Sequence, residues 1–376
     1  MSAVSAPTGS PAAIAGPRLA FRGRSIPVVL PNRHDPRLKL SAVIVTLQVL
    51  GQTVLGFKVS IAQILVTIGV CAAVDTTVTL WRRGELVWPA SGLLTGNSIA
   101  FILRASGTEH GDWWSLHGIG YFVLAAVVAM GVKYLVRPAG RHRFNPSNVG
   151  LVWVLLVIGP VHVFPQYLWW GPLQAPVIAA LVVIGLGAAW VLAAVRMLPM
   201  ALAFLGTFVA LVGVFAVAGS SFIAIWHEGP ISGVDYWLRI CTSPELLIFV
   251  CFMMSDPVTA PRGTAARVIY GVATAVVAAA LVVLQPTEFG IKVAILASLT
   301  LLCAVVPLID ALGRRLGREA GERSPLSGWW GARAFSATSI AMAVIALTAV
   351  TGTVALAGNR DLGFIERGLT GPRNAQ

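Results

Sequence analysis

Long apolar runs, separated by short breaks of polar residues, glycine and proline, dominate the pattern along this chain. Eleven such runs lie near 40–57, 60–81, 86–103, 117–136, 149–164, 174–195, 199–218, 244–254, 265–284, 290–312 and 334–357. A helix rises about 1.5 Å per residue, so about 20 apolar residues cross a hydrocarbon core. The runs do not alternate apolar and polar positions, which argues against a membrane β-barrel. The pattern predicts an all-α, polytopic integral membrane protein. Its third and eighth runs are short or broken, and interrupted segments of this kind point to binding sites in transporter-like folds.

One break stands apart. Between the eighth and ninth runs, Ser255-Asp256-Pro257-Val258-Thr259 is followed by Pro261-Arg262-Gly263. Proline lacks a backbone N–H and fixes φ, so Pro257 and Pro261 end a helix here. Asp256 and Ala260, which precede them, are pushed towards extended backbone. A carboxylate, the Thr259 hydroxyl and Arg262 thus sit between two membrane segments, where irregular backbone survives only inside protein or facing water. Asp256 and Arg262 form either a structural ion pair or, with Asn145 and Asn148, part of a pocket.

Two further stretches carry chemistry. Ser91-Gly92-Leu93-Leu94-Thr95-Gly96-Asn97-Ser98 lies inside the short third run. Its glycines permit close helix approach and Ser91 and Thr95 supply hydroxyls, so it reads equally as packing or as a site. In the second stretch, Lys133, Arg137, Arg141 and Arg143 precede Asn145-Pro146-Ser147-Asn148. Asparagine before a helix is an ordinary N-cap. A helix N-terminus flanked by arginine also attracts anions.

Composition supports the membrane reading, with 57% apolar and 11% charged residues. The net charge of +12 would suggest nucleic acid in a soluble chain. In a membrane protein it sets orientation, and nucleic acid is not expected as a partner. With the N-terminus inside and the runs alternating, 20 of the 27 Lys and Arg fall inside and 7 outside. This predicts a multi-pass plasma-membrane protein with a cytoplasmic N-terminus and an external C-terminus. Trp81, Trp88, Trp113, Trp114, Trp169, Trp170, Trp226 and Trp237 lie near run ends, as interfacial tryptophans do. Four cysteines and six histidines show no metal-ligand spacing, and no phosphate-binding glycine motif is present. No metal is expected. Residues 1–38 read as a disordered basic tail, 316–333 as a basic cytoplasmic loop and 358–376 as a C-terminal tail.

These motifs, in this order, resemble a known family: the D subunit of the Rnf electron-transport complex and the B subunit of the sodium-pumping NADH:quinone reductase. The likeness rests on Ser91 to Gly96, on Phe144-Asn145-Pro146 opening a helix, and on Asp256-Pro257-Val258-Thr259. Arg267-Val268-Ile269-Tyr270-Gly271 extends it, as does Pro307-Leu308-Ile309-Asp310, which the resemblance implies is a turn ending the last core helix. Asp35-Pro36-Arg37, with Gly51 to Phe57, is closer to the UnbU-type branch associated with enediyne biosynthesis in actinobacteria. The resemblance covers about residues 40–315. It implies ten core helices in two five-helix halves, with the run at 334–357 as an extra helix. It also implies a flavin-associated electron-transfer role beside other membrane redox subunits or biosynthetic enzymes. The implied flavin site comprises Ser91, Thr95, Arg141, Arg143, Asn145, Asn148, Asp256, Thr259 and Arg262. Ion-pump members carry flavin mononucleotide on a Thr in a Ser-x-Ala-Thr stretch within an extended loop. That loop is missing here, and Phe335-Ser336-Ala337-Thr338 and Gly271-Val272-Ala273-Thr274 lie elsewhere. Non-covalent riboflavin or flavin mononucleotide is therefore the implied cofactor. A transporter or permease, and a scaffold for pathway enzymes, are the other readings.

Overall fold

The computed structural model describes residues 17–21, 24–31, 35–137, 142–166 and 175–319. The predicted run at 334–357 lies outside them. The chain is mostly helical. Among the described residues, six helical segments are long and apolar enough to cross a membrane. They are α2 (Ile61–Arg83), α6 (Ala175–Val195), α7 (Leu198–Val217), a composite segment Gly233–Met253, α10 (Thr264–Val282) and α11, apolar over Glu288–Leu316. The composite comprises α8 (Gly233–Cys241), α9 (Pro244–Ile248) and a π-helical turn, Phe249–Met253. Another helix, α1 (Pro36–Thr53), opens the bundle.

Three apolar helices are shorter: α3 (Ala90–Ile102, 13 residues), α4 (Ile119–Leu135, 17 residues) and α5 (Pro146–Ile158, 13 residues). Thirteen residues make a rod of about 20 Å against a core of about 30 Å. Short strands follow both 13-residue helices. β4 (Leu103–Ala105) leaves α3 and pairs antiparallel with β5 (Val163–Pro165), which follows α5. Gln166 N–H adds a bond to the Ile102 carbonyl at 2.6 Å, and Ser106 N–H one to the His162 carbonyl at 2.9 Å. The backbone groups freed where both helices stop are thus satisfied inside the protein.

The helices pack in a connected bundle. α2 lies on α3, α4 on α5, and α10 against both α7 and α11. Contacts of α1 with α6 and of α5 with α11 join the two parts of the chain. Glycines set the closest approaches. A Cβ on Gly92 would meet the Cys71 carbonyl oxygen at 2.7 Å, and one on Gly96 would meet the Ile68 Cα at 2.6 Å. These two glycines, four residues apart, let α3 sit directly on the α2 backbone.

Two sequence readings are corrected here. Residues 18–21 and 24–29 are strands β1 (Arg18–Phe21) and β2 (Arg24–Val29), not tail; β2 pairs in parallel with β3 (Leu86–Val87). The β-branched Ile26, Val28 and Val29 favour this extended backbone once β3 offers an edge. The Pro307-Leu308-Ile309-Asp310 stretch does not end a helix: α11 runs from Glu288 through Pro307 to Glu319. A helix embedded among neighbours tolerates the one hydrogen bond that proline removes.

Candidate functional site

The start of α1 marks one end of the bundle, termed proximal here. A cavity of about 370 Å³ opens there, where the starts of α1, α3 and α5, the end of α6 and the break after the π turn converge. Ser91, Leu94, Thr95 and Ser98 reach it from α3. Their spacing is that of one helical face. Gly92 and Gly96 occupy the opposite face, against α2. The glycine side of the stretch packs on α2, one of its two sequence readings, and the hydroxyl side lines the cavity.

From α5, Asn145, Pro146 and Ser147 line the cavity, with His142 just before them. Asn145 is the N-cap: its Oδ1 accepts the Asn148 N–H at 3.2 Å. Its Nδ2 donates to the Met253 carbonyl at 3.1 Å, tying the head of α5 to the end of the π turn. The same turn contributes Phe252 and Met253, and the break beyond it Ser255, Asp256, Pro257 and Val258. Asp256 is held by its own loop, since Oδ1 accepts the Val258 N–H at 2.9 Å and Oδ2 the Thr259 hydroxyl at 3.3 Å. His142 Nε2 stands 4.0 Å from Asp256 Oδ2.

The third side is the head of α1. Asp35 caps that helix, accepting the Arg37 N–H at 2.9 Å, and forms an ion pair with the Arg37 guanidinium at 2.5 Å. Both residues line the cavity. The Arg37 guanidinium holds the Asp35 carboxyl below its ordinary range.

Of the residues singled out by sequence, Ser91, Thr95, Asn145 and Asp256 thus meet around one space. Thr259 stands behind them, supporting Asp256. Asn148 is buried elsewhere: its Nδ2 donates to the Leu296 carbonyl and to Thr300 Oγ1, both at 2.9 Å, and fastens α5 to α11. Arg143 is half-buried and does not line the cavity. Arg262 is exposed; its backbone N–H donates to Asp310 Oδ1 at 2.9 Å, and no ion pair with Asp256 forms among the described residues. Gly263, at φ +85°, turns the chain into α10. Arg141 and Phe335 to Thr338 lie outside the described residues. Thr274 is buried within α10, where its hydroxyl donates to the Tyr270 carbonyl at 2.7 Å.

Sequence reading missed Arg37, His142, Ser98 and Ser255 as lining groups. The helical spacing from Ser91 and Thr95 pointed to Ser98, and the position of His142 three residues before the Asn145 cap pointed to that side chain. Nothing local in the sequence linked Arg37 to residues more than a hundred positions away.

At the opposite, distal end lies a second cavity of about 30 Å³, walled by Ile102, Ile248, Phe249 and Leu296. Beside it sits a buried charge group. Lys292 contacts Glu245 at 2.9 Å and Glu288 at 2.7 Å, and Trp226 Nε1 donates to Glu288 Oε2 at 2.7 Å. Lys292 is 4% exposed, locked between these carboxylates. Met253 lines both cavities.

The chain matches no established protein-family model and no curated protein sequence.

Proposed function

We propose that this chain is a membrane subunit of a redox-linked electron-transfer system, holding riboflavin or flavin mononucleotide non-covalently in the proximal cavity. One observation carries the reading: three sequence-separated motifs, at Ser91–Ser98, Asn145–Ser147 and Ser255–Val258, converge on one space of about 370 Å³. That volume falls in the range of about 300–1,000 Å³ usual for small-molecule sites. The lining suits a flat amphipathic ring system. Leu94, Val191, Val195 and Phe252 supply apolar wall, and Ser91, Thr95, Ser98 and Asn145 supply hydrogen-bonding groups. Arg37 and His142 would receive a phosphate, and the starts of α3 and α5 add positive dipole ends. A bound flavin supplies one- and two-electron transfer. The protein's own residues bind it, orient it and, through the apolar wall, limit water.

In this reading the described helices form a ten-helix core of two five-helix halves, with the proximal end cytoplasmic in the plasma membrane. Its partners are further membrane redox subunits or the enzymes of an enediyne-type biosynthetic pathway. Met253 favours a second reading, as transporter or permease. The proximal and distal cavities share this one side chain as a wall, so the described bundle is thin at the π turn.

Purification in mild detergent, followed by visible absorption before and after acid precipitation, tests the first reading. About one flavin per chain, released by acid, is the expected result. Flavin retained on the precipitate would refute non-covalent attachment. A colourless, folded protein would refute the flavin reading. Solute flux in proteoliposomes without redox partners would then support the second.

A further inference from the structure

Gln166 follows β5, at the distal end, and both of its backbone groups are committed. Its N–H donates to the Ile102 carbonyl at 2.6 Å, and its carbonyl accepts the Lys292 ammonium at 3.4 Å. These bonds fix where the side chain begins. The side chain itself is another matter. The residue is 2% exposed, and among the described residues its Nε2 has no hydrogen-bond partner. Leaving a buried donor unmet is costly, so such groups are nearly always satisfied by protein or by ordered water.

Gln166 lines the distal cavity of about 30 Å³, together with Glu245 and Lys292. Holding one water takes about 10–15 Å³ of such space, so there is room for about two. A water also needs about two to four polar partners. Gln166 supplies an amide donor, Lys292 an ammonium donor and Glu245 an acceptor, since a carboxylate oxygen takes more than one hydrogen bond. Ile102, Ile248 and Phe249 make apolar wall. A cavity walled by apolar groups alone stays dry, and the three polar residues separate this one from that case. Charge limits the occupant as well. A cation would meet Lys292, and an anion would meet Glu245 beside Glu288, which shares the same ammonium. A neutral molecule of water's size, able both to donate and to accept, meets neither objection. Its dipole would also help to solvate charges that are expensive to bury.

We propose that the distal cavity is a hydration site, holding ordered water between Gln166 Nε2 and the Glu245–Lys292 pair. That water solvates the buried charge group from the β5 side. The assignment is independent of the redox reading.

X-ray hydroxyl-radical footprinting of the full chain in detergent, read by mass spectrometry, tests it. Radicals form from water in place, so a buried side chain beside ordered water is oxidised although bulk solvent does not reach it. Phe249, 1% exposed on the cavity wall, should be labelled well above Phe122, which is 0% exposed within α4. Gln166→Leu keeps both backbone bonds. It should bring Phe249 down to the Phe122 level and lower the melting temperature by about 2–4 °C. Were the donor simply unmet, the same substitution would remove a buried polar group and leave melting unchanged or raised. That outcome, or equal labelling of Phe249 and Phe122, would overturn the assignment. So would a stabilisation by sodium over choline that Gln166→Leu abolishes, which would show a cation instead. Should Gln166→Leu fail to fold, the contrast between Phe249 and Phe122 in the unmodified protein decides the matter.

Discussion

Single side chains divide here between those that line the proximal cavity and those that hold its walls. Thr95 belongs to the first group. Among the described residues its hydroxyl bonds only the Ser91 carbonyl of its own helix, at 2.8 Å. Thr95→Val should therefore lower the flavin content of purified protein while moving its melting temperature little, measured by absorbance and thermal melts on one sample. Asn148 belongs to the second group. Asn148→Ala removes two buried bonds between α5 and α11 and should destabilise by about 1–3 kcal/mol, read from denaturation in detergent. Asp35 belongs to both, as cavity lining and helix cap. Asp35→Ala should cost about 1 kcal/mol at neutral pH. Because Arg37 lowers the Asp35 pKa from its ordinary 3.8, the contribution is complete above that value and disappears as pH falls through the lowered one. Melts of the native protein and Asp35→Ala should accordingly converge only in strong acid. A difference that closes between pH 7 and pH 5 would contradict this assignment.

At the scale of helices, packing follows glycines and buried charge. Gly92→Val would drive its side chain into the α2 backbone at Cys71 and should cost about 1–3 kcal/mol or more. Lys292→Met would leave Glu245 and Glu288 buried without their shared cation, a loss of about 3–5 kcal/mol. Adding Glu245→Gln and Glu288→Gln should restore much of it, because the cost lies in uncompensated charge. Comparison of expression and thermal melts across the series checks the point. Helix starts were legible where chemistry was local: Asn145 before Pro146 read as an N-cap, and Pro257 and Pro261 as a break, and both are so. The ends of α3 and α5 were not. An apolar run such as 86–103 has the same hydropathy whether its last residues are helix or strand, and only the partner strand decides. Pro307 misled for a related reason, since its cost depends on neighbours that one stretch of sequence does not reveal.

For the whole molecule, apolar run length was enough to predict a mostly helical chain with helices long and apolar enough to cross a membrane, because the bilayer leaves so few alternatives. Run length could not separate six helices of clear spanning length from shorter ones completed by other structure. The meeting of Ser91, Asn145 and Asp256 was foreshadowed by motif order and resemblance; the contribution of Arg37 required the three-dimensional arrangement of α1. Orientation remains an expectation from the distribution of Lys and Arg. Reporter fusions after residues 84 and 196 should report a cytoplasmic location, and fusions after residues 58 and 219 an external one.

The β4–β5 pair also bears on how the chain is made. Arg104 finds its strand partner, Phe164, only after about 60 further residues have been synthesised. Until then the backbone beyond α3 lacks its strand partner, and within a bilayer α3 would not be complete as a span. The first five helices would then be retained and released together. Nascent chains halted before Val163 should therefore stay bound to the insertase or be degraded, whereas chains halted after Gln166 should partition into lipid.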